Sequence, residues 1–225
     1  EFLDDLIDRF DPTWLNYGIE ITEILSHDID AWTEVVGFCA AVHDSLERRH
    51  PDLPMLVSAT SKHPDSAQSA VVAARIQDLW PYFDVLGIST YPYVFFGLGA
   101  QGGDPTNLPA DWLSQAVAMS GGRPIALAET GWIAEDLVVA EYDLDVAGTA
   151  QWQADFVGSL LSEAEALDAE FVTWYSVADF DSLWATALGE SSLAAVWRDT
   201  GLYDGDLEAR PALGVWDSWL QRDLR

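Results

Sequence analysis

Pro124-Ile125-Ala126-Leu127-Ala128-Glu129-Thr130-Gly131-Trp132 reads as a short buried strand that ends on a charged group. Its apolar residues run unbroken, as parallel strands covered on both faces require. A carboxylate at the end of such a run is costly to desolvate unless it is partnered or lines a polar mouth. Gly131 permits a tight turn that exposes it. Its strand is Ile125–Glu129, and apolar residues run nearly unbroken through most of four further runs: Leu15–Ile21, Met55–Ala59, Val85–Thr90 and Phe171–Tyr175. The five starts lie roughly 30–45 residues apart, the repeat of a strand, a helix and their loops.

The intervening segments carry helix signals. Asp28 or Asp30 can cap a helix running to Arg49, before Pro51. Asp65 can cap Ser66–Trp80, closed by Pro81, and Pro109 can open a helix to Ser120 with Gly121-Gly122 as its left-handed exit. Ala150–Leu167 and Ala212–Arg222 repeat apolar residues at helical spacing. Such alternation leaves an open doubly wound sheet or a closed barrel. No G-x-G-x-x-G follows any strand, and Glu20, Tyr91, Glu129 and Trp174 gather at strand C-termini, where a barrel keeps its site. The chain opens on what reads as a helix already under way, and a whole barrel takes ~250 residues. The expectation is α/β, a (β/α)8 TIM barrel with only strands four to eight present, forming one domain over residues 1–225 that is incomplete at its N-terminal side.

Composition narrows the function. The 225 residues carry a net charge of −28, which repels phosphate backbones and anionic lipid, so neither nucleic acid nor membrane is expected as a partner. Cys39 is the only cysteine, and His27, His43, His50 and His63 lack metal-ligand spacing, so no metal site is expected from these residues. Asp179 and Asp181 could touch the hydroxyls of a ligand or bind calcium, or be solvated loop acids. Gly97–Gly103 reads as a flexible loop on the sugar-facing rim.

Two acids at the ends of different strands, Glu20 and Glu129, match the pairing that glycoside hydrolysis needs, one to protonate the leaving oxygen and one to attack. Glu23 is an alternative acid just beyond the first strand. Each carboxylate alone reads equally as a structural ion-pair partner at the rim. A tyrosine at position 91 can hydrogen-bond a nucleophilic carboxylate, or pack against a loop.

With these residues together, the chain resembles glycoside hydrolase clan A, nearest its endo-β-galactanase and β-glucanase branches. The resemblance rests on Tyr17-Gly18-Ile19-Glu20-Ile21-Thr22, Ser89-Thr90-Tyr91-Pro92-Tyr93, Ala128-Glu129-Thr130-Gly131-Trp132 and the closing Arg210-Pro211-Ala212-Leu213-Gly214-Val215-Trp216. It implies a retaining enzyme acting on a β-linked oligo- or polysaccharide, with Glu20 as acid/base and Glu129 as nucleophile. It further implies that Tyr91 bonds the nucleophile, that Trp174 forms a sugar platform, and that Tyr93 and Trp132 contact substrate. No cofactor is implied. Export, to the outside or the periplasm, and a missing N-terminal part of the barrel as a separate segment or chain are also expectations. Ile19 stands where the clan has asparagine, which keeps open a carbohydrate-binding protein without hydrolytic activity.

The 38 acidic residues are scattered along the chain and read as a solvated acidic surface suited to high salt. Self-repulsion is screened by salt, so the melting temperature should rise on adding sodium chloride at neutral pH; a fall would contradict the reading of a surface suited to high salt.

Overall fold

The computed structural model describes residues 2–222. Five strands form one parallel sheet: β1 (Leu15–Gly18), β2 (Met55–Thr60), β3 (Val85–Thr90), β4 (Ile125–Thr130) and, last in the chain, β7 (Val172–Trp174), in spatial order β1-β2-β3-β4-β7. Between β4 and β7 lies an antiparallel hairpin of β5 (Leu137–Val139) and β6 (Leu144–Val146), turned by Asp143 at φ 54°. The five-stranded sheet curls into a half-barrel. Trp14, just before β1, meets Phe171, just before β7, with ring centroids 5.0 Å apart across the concave side. Both rings pack with Leu56, Val85 and Ala126 at the lower end of the sheet.

All five expected strands are present, Val85–Thr90 with the expected ends and the others with an end shifted by one to three residues. The helices agree less evenly. Ser66, not Asp65, caps the helix over Ala67–Arg75 through its hydroxyl and the Ser69 amide, and Ile76–Tyr82 then tightens to a 3-10 turn that accommodates Pro81. The helix expected from Pro109 is confined to Gln115–Met119; turns occupy the residues before it. Gly121 and Gly122 do adopt positive φ, 64° and 81°, and a Cβ on Gly121 would sit 2.5 Å from the Trp80 ring. Asp28 and Thr149 cap as N-terminal acceptors, the first ahead of Trp32–Glu47 and the second ahead of Ala150–Ala166. The last helix runs Pro211–Leu220.

Helices cover the convex side. There Trp132 stacks on Phe156 at 4.1 Å, and Phe156 in turn faces Trp112 and Trp174. Trp174 also meets Trp216 of the last helix. Gln153, wholly buried beside this cluster, aims its amide nitrogen at the carbonyls of Trp132 (3.0 Å), Gly201 (3.0 Å) and Thr200 (3.2 Å). One side chain thereby ties the Ala150–Ala166 helix to the loops after β4 and β7.

Replacing Gln153 by leucine would leave the Trp132 carbonyl without its donor, while those of Thr200 and Gly201 keep Trp174 and Arg210, a loss of about 2 kcal/mol. Urea denaturation of Gln153→Leu measures it; a change below about 1 kcal/mol would contradict the role assigned to the amide.

Candidate active site

The orientation of Glu129 is set by a fault in strand pairing. Along β3 and β4, Gly87 stands opposite Ala126 and Ile88 opposite Leu127, but Ser89 stands opposite Glu129, skipping Ala128. The other neighbour shows the same extra residue: Leu127 stands opposite Val172 and Thr130 opposite Trp174. This is a β-bulge, two residues facing one. Side chains alternate along a strand, so an unbulged β4 would turn Glu129 towards the helices with Leu127. The bulge at Ala128 moves it instead to the concave face, beside Ser89. There its Oε1 accepts a hydrogen bond from the Tyr91 hydroxyl at 2.6 Å. Gly131 is needed for a close approach, since a Cβ there would lie 2.4 Å from the Tyr175 carbonyl oxygen.

Glu20 follows β1, where the register also slips, between Asn16 and Gly18. Its backbone is left-handed, φ 48° and ψ 36°, which turns the chain into the 3-10 turn Ile21–Glu23. Two serines hold it. The Ser58 hydroxyl oxygen accepts the Glu20 N–H at 2.8 Å, and the Ser89 hydroxyl donates to Glu20 Oε1 at 2.5 Å. Ser89 therefore touches one carboxylate and stands in register with the residue bearing the other. Neither serine was singled out in the sequence, although hydroxyls at alternate positions of otherwise apolar strands are the signal that marks them.

Burial pushes the Glu20 carboxyl above the usual glutamate range; the negative charges of Glu129 and Glu23 add to this, while the Ser89 bond and Lys62 oppose it. Burial pushes Glu23 the same way, but there the bonds from Lys62 and Thr60 win and the net displacement is downward. Lys62, the only lysine, pairs with Glu23 Oε1 at 2.6 Å and lies over the Phe95 ring. The Thr60 hydroxyl donates to the same oxygen. Glu23 is thus a committed counter-ion, and Glu20 is the carboxyl whose proton affinity is raised. Burial, followed by the bond to Glu129 and its charge, pushes the Tyr91 phenol far up, so Tyr91 stays a donor.

The aromatic expectations need correction. Trp174 does not face the concave side: it is 9% exposed, packs against Phe156 and Trp216, and donates to the Thr200 carbonyl at 2.9 Å. Alternation from the exposed Thr173 instead presents Tyr175, 41% exposed, at the strand end. Tyr93 and Trp132, expected to contact substrate, are wholly buried; Tyr93 donates to the Val196 carbonyl at 2.7 Å and Trp132 to that of Gly103 at 2.9 Å. They support the site from behind, Tyr93 packing edge-on against Tyr91. The Gly97–Gly103 loop is anchored at its end, where Gly102 and Gly103 are buried.

Asp179, Asp181 and Asp199 bring carboxylate oxygens within 4.8 Å of one another. Arginines already neutralise them: Arg210 reaches Asp179 at 2.7 Å, and Arg198 reaches Asp199 at 2.6 Å and Asp181 at 3.3 Å. This cluster is a network of ion pairs, which does not fit the calcium reading.

No protein-family profile matches the chain, and no curated protein matches it in sequence. Solved structures do resemble it. The β-D-glucuronidase of Dictyoglomus thermophilum superposes with a TM-score of 0.55 at 16% identity, over 84% of this chain and 29% of that one. The Lactobacillus rhamnosus β-glucuronidase gives 0.54 at 15% identity, over 84% and 30%. An endo-laminarinase from Formosa Hel1_33_131 gives 0.53 at 17% identity, over 86% and 55%. The chain spans less than a third of the two glucuronidases and about half of the laminarinase. These glycoside hydrolases share the fold, and the half-barrel matches part of a TIM barrel.

Glu20 generates a prediction that needs no substrate. A carboxyl with a raised folded-state pKa binds more protons folded than unfolded, so its contribution to stability falls as pH rises through that window. Glu20→Gln should therefore raise the melting temperature at pH 7, and the gain should vanish below the ordinary glutamate range. A variant less stable than the parent at pH 7 would refute the electrostatics described.

Proposed function

We propose that this chain carries the catalytic pair of a retaining β-glycoside hydrolase. The observation that carries the reading is that Ser89 bonds the Glu20 carboxylate while standing in register with Glu129, on the concave side of strand C-terminal ends. Tyr91 occupies Oε1 of Glu129 and leaves Oε2 to attack the anomeric carbon. As that bond forms, the glycosidic C–O bond breaks and the leaving oxygen takes the proton from Glu20. Water then attacks the glycosyl ester, giving its proton to Glu20 and releasing Glu129. A Glu20 carboxyl pushed upward by burial suits the proton-donating role. Tyr175 offers the exposed ring on which a sugar can lie.

The substrate class is a β-linked oligo- or polysaccharide, in keeping with neighbours named β-glucuronidase and endo-laminarinase. The remaining strands of the barrel are supplied by another segment or chain, and the enzyme works outside the cytoplasm on a glycan. Among the described residues no helix is long and apolar enough to cross a membrane. A second reading, sugar binding without turnover, is favoured by Ile19, which replaces the clan's asparagine and is 69% exposed.

The test uses 4-nitrophenyl β-D-glucoside, 4-nitrophenyl β-D-glucuronide and laminarin with the whole protein. Glu129→Gln and Glu20→Gln should each lower hydrolysis of the accepted substrate on the order of a thousandfold. Full activity in either variant would reject the pair, and binding without turnover by the parent would select the second reading.

A further inference from the structure

We infer that Ser89 is a positioning residue for Glu20, holding one carboxylate oxygen so that the transferable proton resides on the other. The assignment rests on the acid/base reading of Glu20 but makes a separate physical claim.

Ser89 is 1% exposed and fixed on the concave face of a central strand, so its hydroxyl has little freedom to seek water. It donates its single proton to Oε1 of Glu20. Among the described residues no hydrogen bond to Oε2 is found. A hydroxyl that donates to Oε1 favours the state in which that oxygen is bare, and so directs protonation to Oε2. The backbone needs the same anchorage. Residue 20 is a non-glycine in the left-handed region, a conformation that persists only where its surroundings impose it. Ser58 holds its amide and Ser89 its carboxylate, from adjacent strands. The contact also tempers proton affinity: burial and Glu129 drive Glu20 upward, and a donated hydrogen bond to the ionised form opposes them. Glu20 thus stays able to lose its proton as well as hold it, which a group that alternates between acid and base requires.

The test is a carbon-13 titration of the protein labelled at glutamate carboxyls, the Glu20 signal being assigned by its loss in Glu20→Gln. Ser89→Ala should raise the Glu20 midpoint by about one pH unit, a roughly tenfold gain in proton affinity. Ser89→Cys, close in size but a weak donor, should fall between parent and alanine variant, and it serves alone if the alanine variant does not fold. The alkaline limb of kcat/KM on the accepted aryl β-glycoside should move upward by the same interval. A midpoint that is unchanged or lowered in the folded variants overturns the role of Ser89. A midpoint that moves as expected, in a protein whose hydrolysis is indifferent to Glu20→Gln, overturns the catalytic reading of Glu20 instead.

Discussion

One extra residue in β4 determines what the concave face can do. Without the bulge at Ala128, strict alternation would drive Glu129 into the apolar layer beneath the helices, against Phe156 and its neighbours. An ionised carboxylate there would cost several kcal/mol and could not reach Tyr91. With the bulge, the same apolar sequence buries Leu127 and Thr130 on the convex side and still delivers its one charge to the open side. The Tyr91 bond, the share of the Glu20 shift that comes from the Glu129 charge and the register of Glu129 with Ser89 all follow from that reversal.

Charge on the rim is arranged by pairing as much as by burial. Glu20 and Glu23 both feel the one lysine, and Lys62 pairs with Glu23. Glu23 is thereby held ionised, and its charge joins that of Glu129 in making ionisation of Glu20 harder. Across the site, Arg198 and Arg210 are absorbed by Asp181, Asp199 and Asp179 in the same way. A surface so rich in acid keeps few free cations near its carboxylate pair, so burial and like charge hold the proton affinity of Glu20 up.

The sequence announces the strands because unbroken apolar runs of five or six residues have few other homes. It announces the two acids because each ends such a run. Facing was harder to read. Trp174 and Tyr175 are adjacent aromatic residues, and only the register against Thr130 shows which turns to the helices. Ala128-Glu129 contains nothing that marks a bulge, since alanine, unlike glycine, gives no backbone signal. The Leu137–Val146 hairpin has strands of three residues, too short for periodicity to register. Pro109 promised a helix that begins later, at Gln115, because Pro fits the first turn of a helix and an isolated turn equally well.

The contact between Trp14 and Phe171 has a mechanical meaning for the catalytic end. β1 and β7 share no backbone bond among the described residues, yet these two rings hold their lower ends at a fixed separation. Glu20 leaves the top of β1, while Glu129 ends β4, beside β7. The rings therefore brace the base of the curl, whose strands β1 and β4 carry Glu20 and Glu129 at the opposite end.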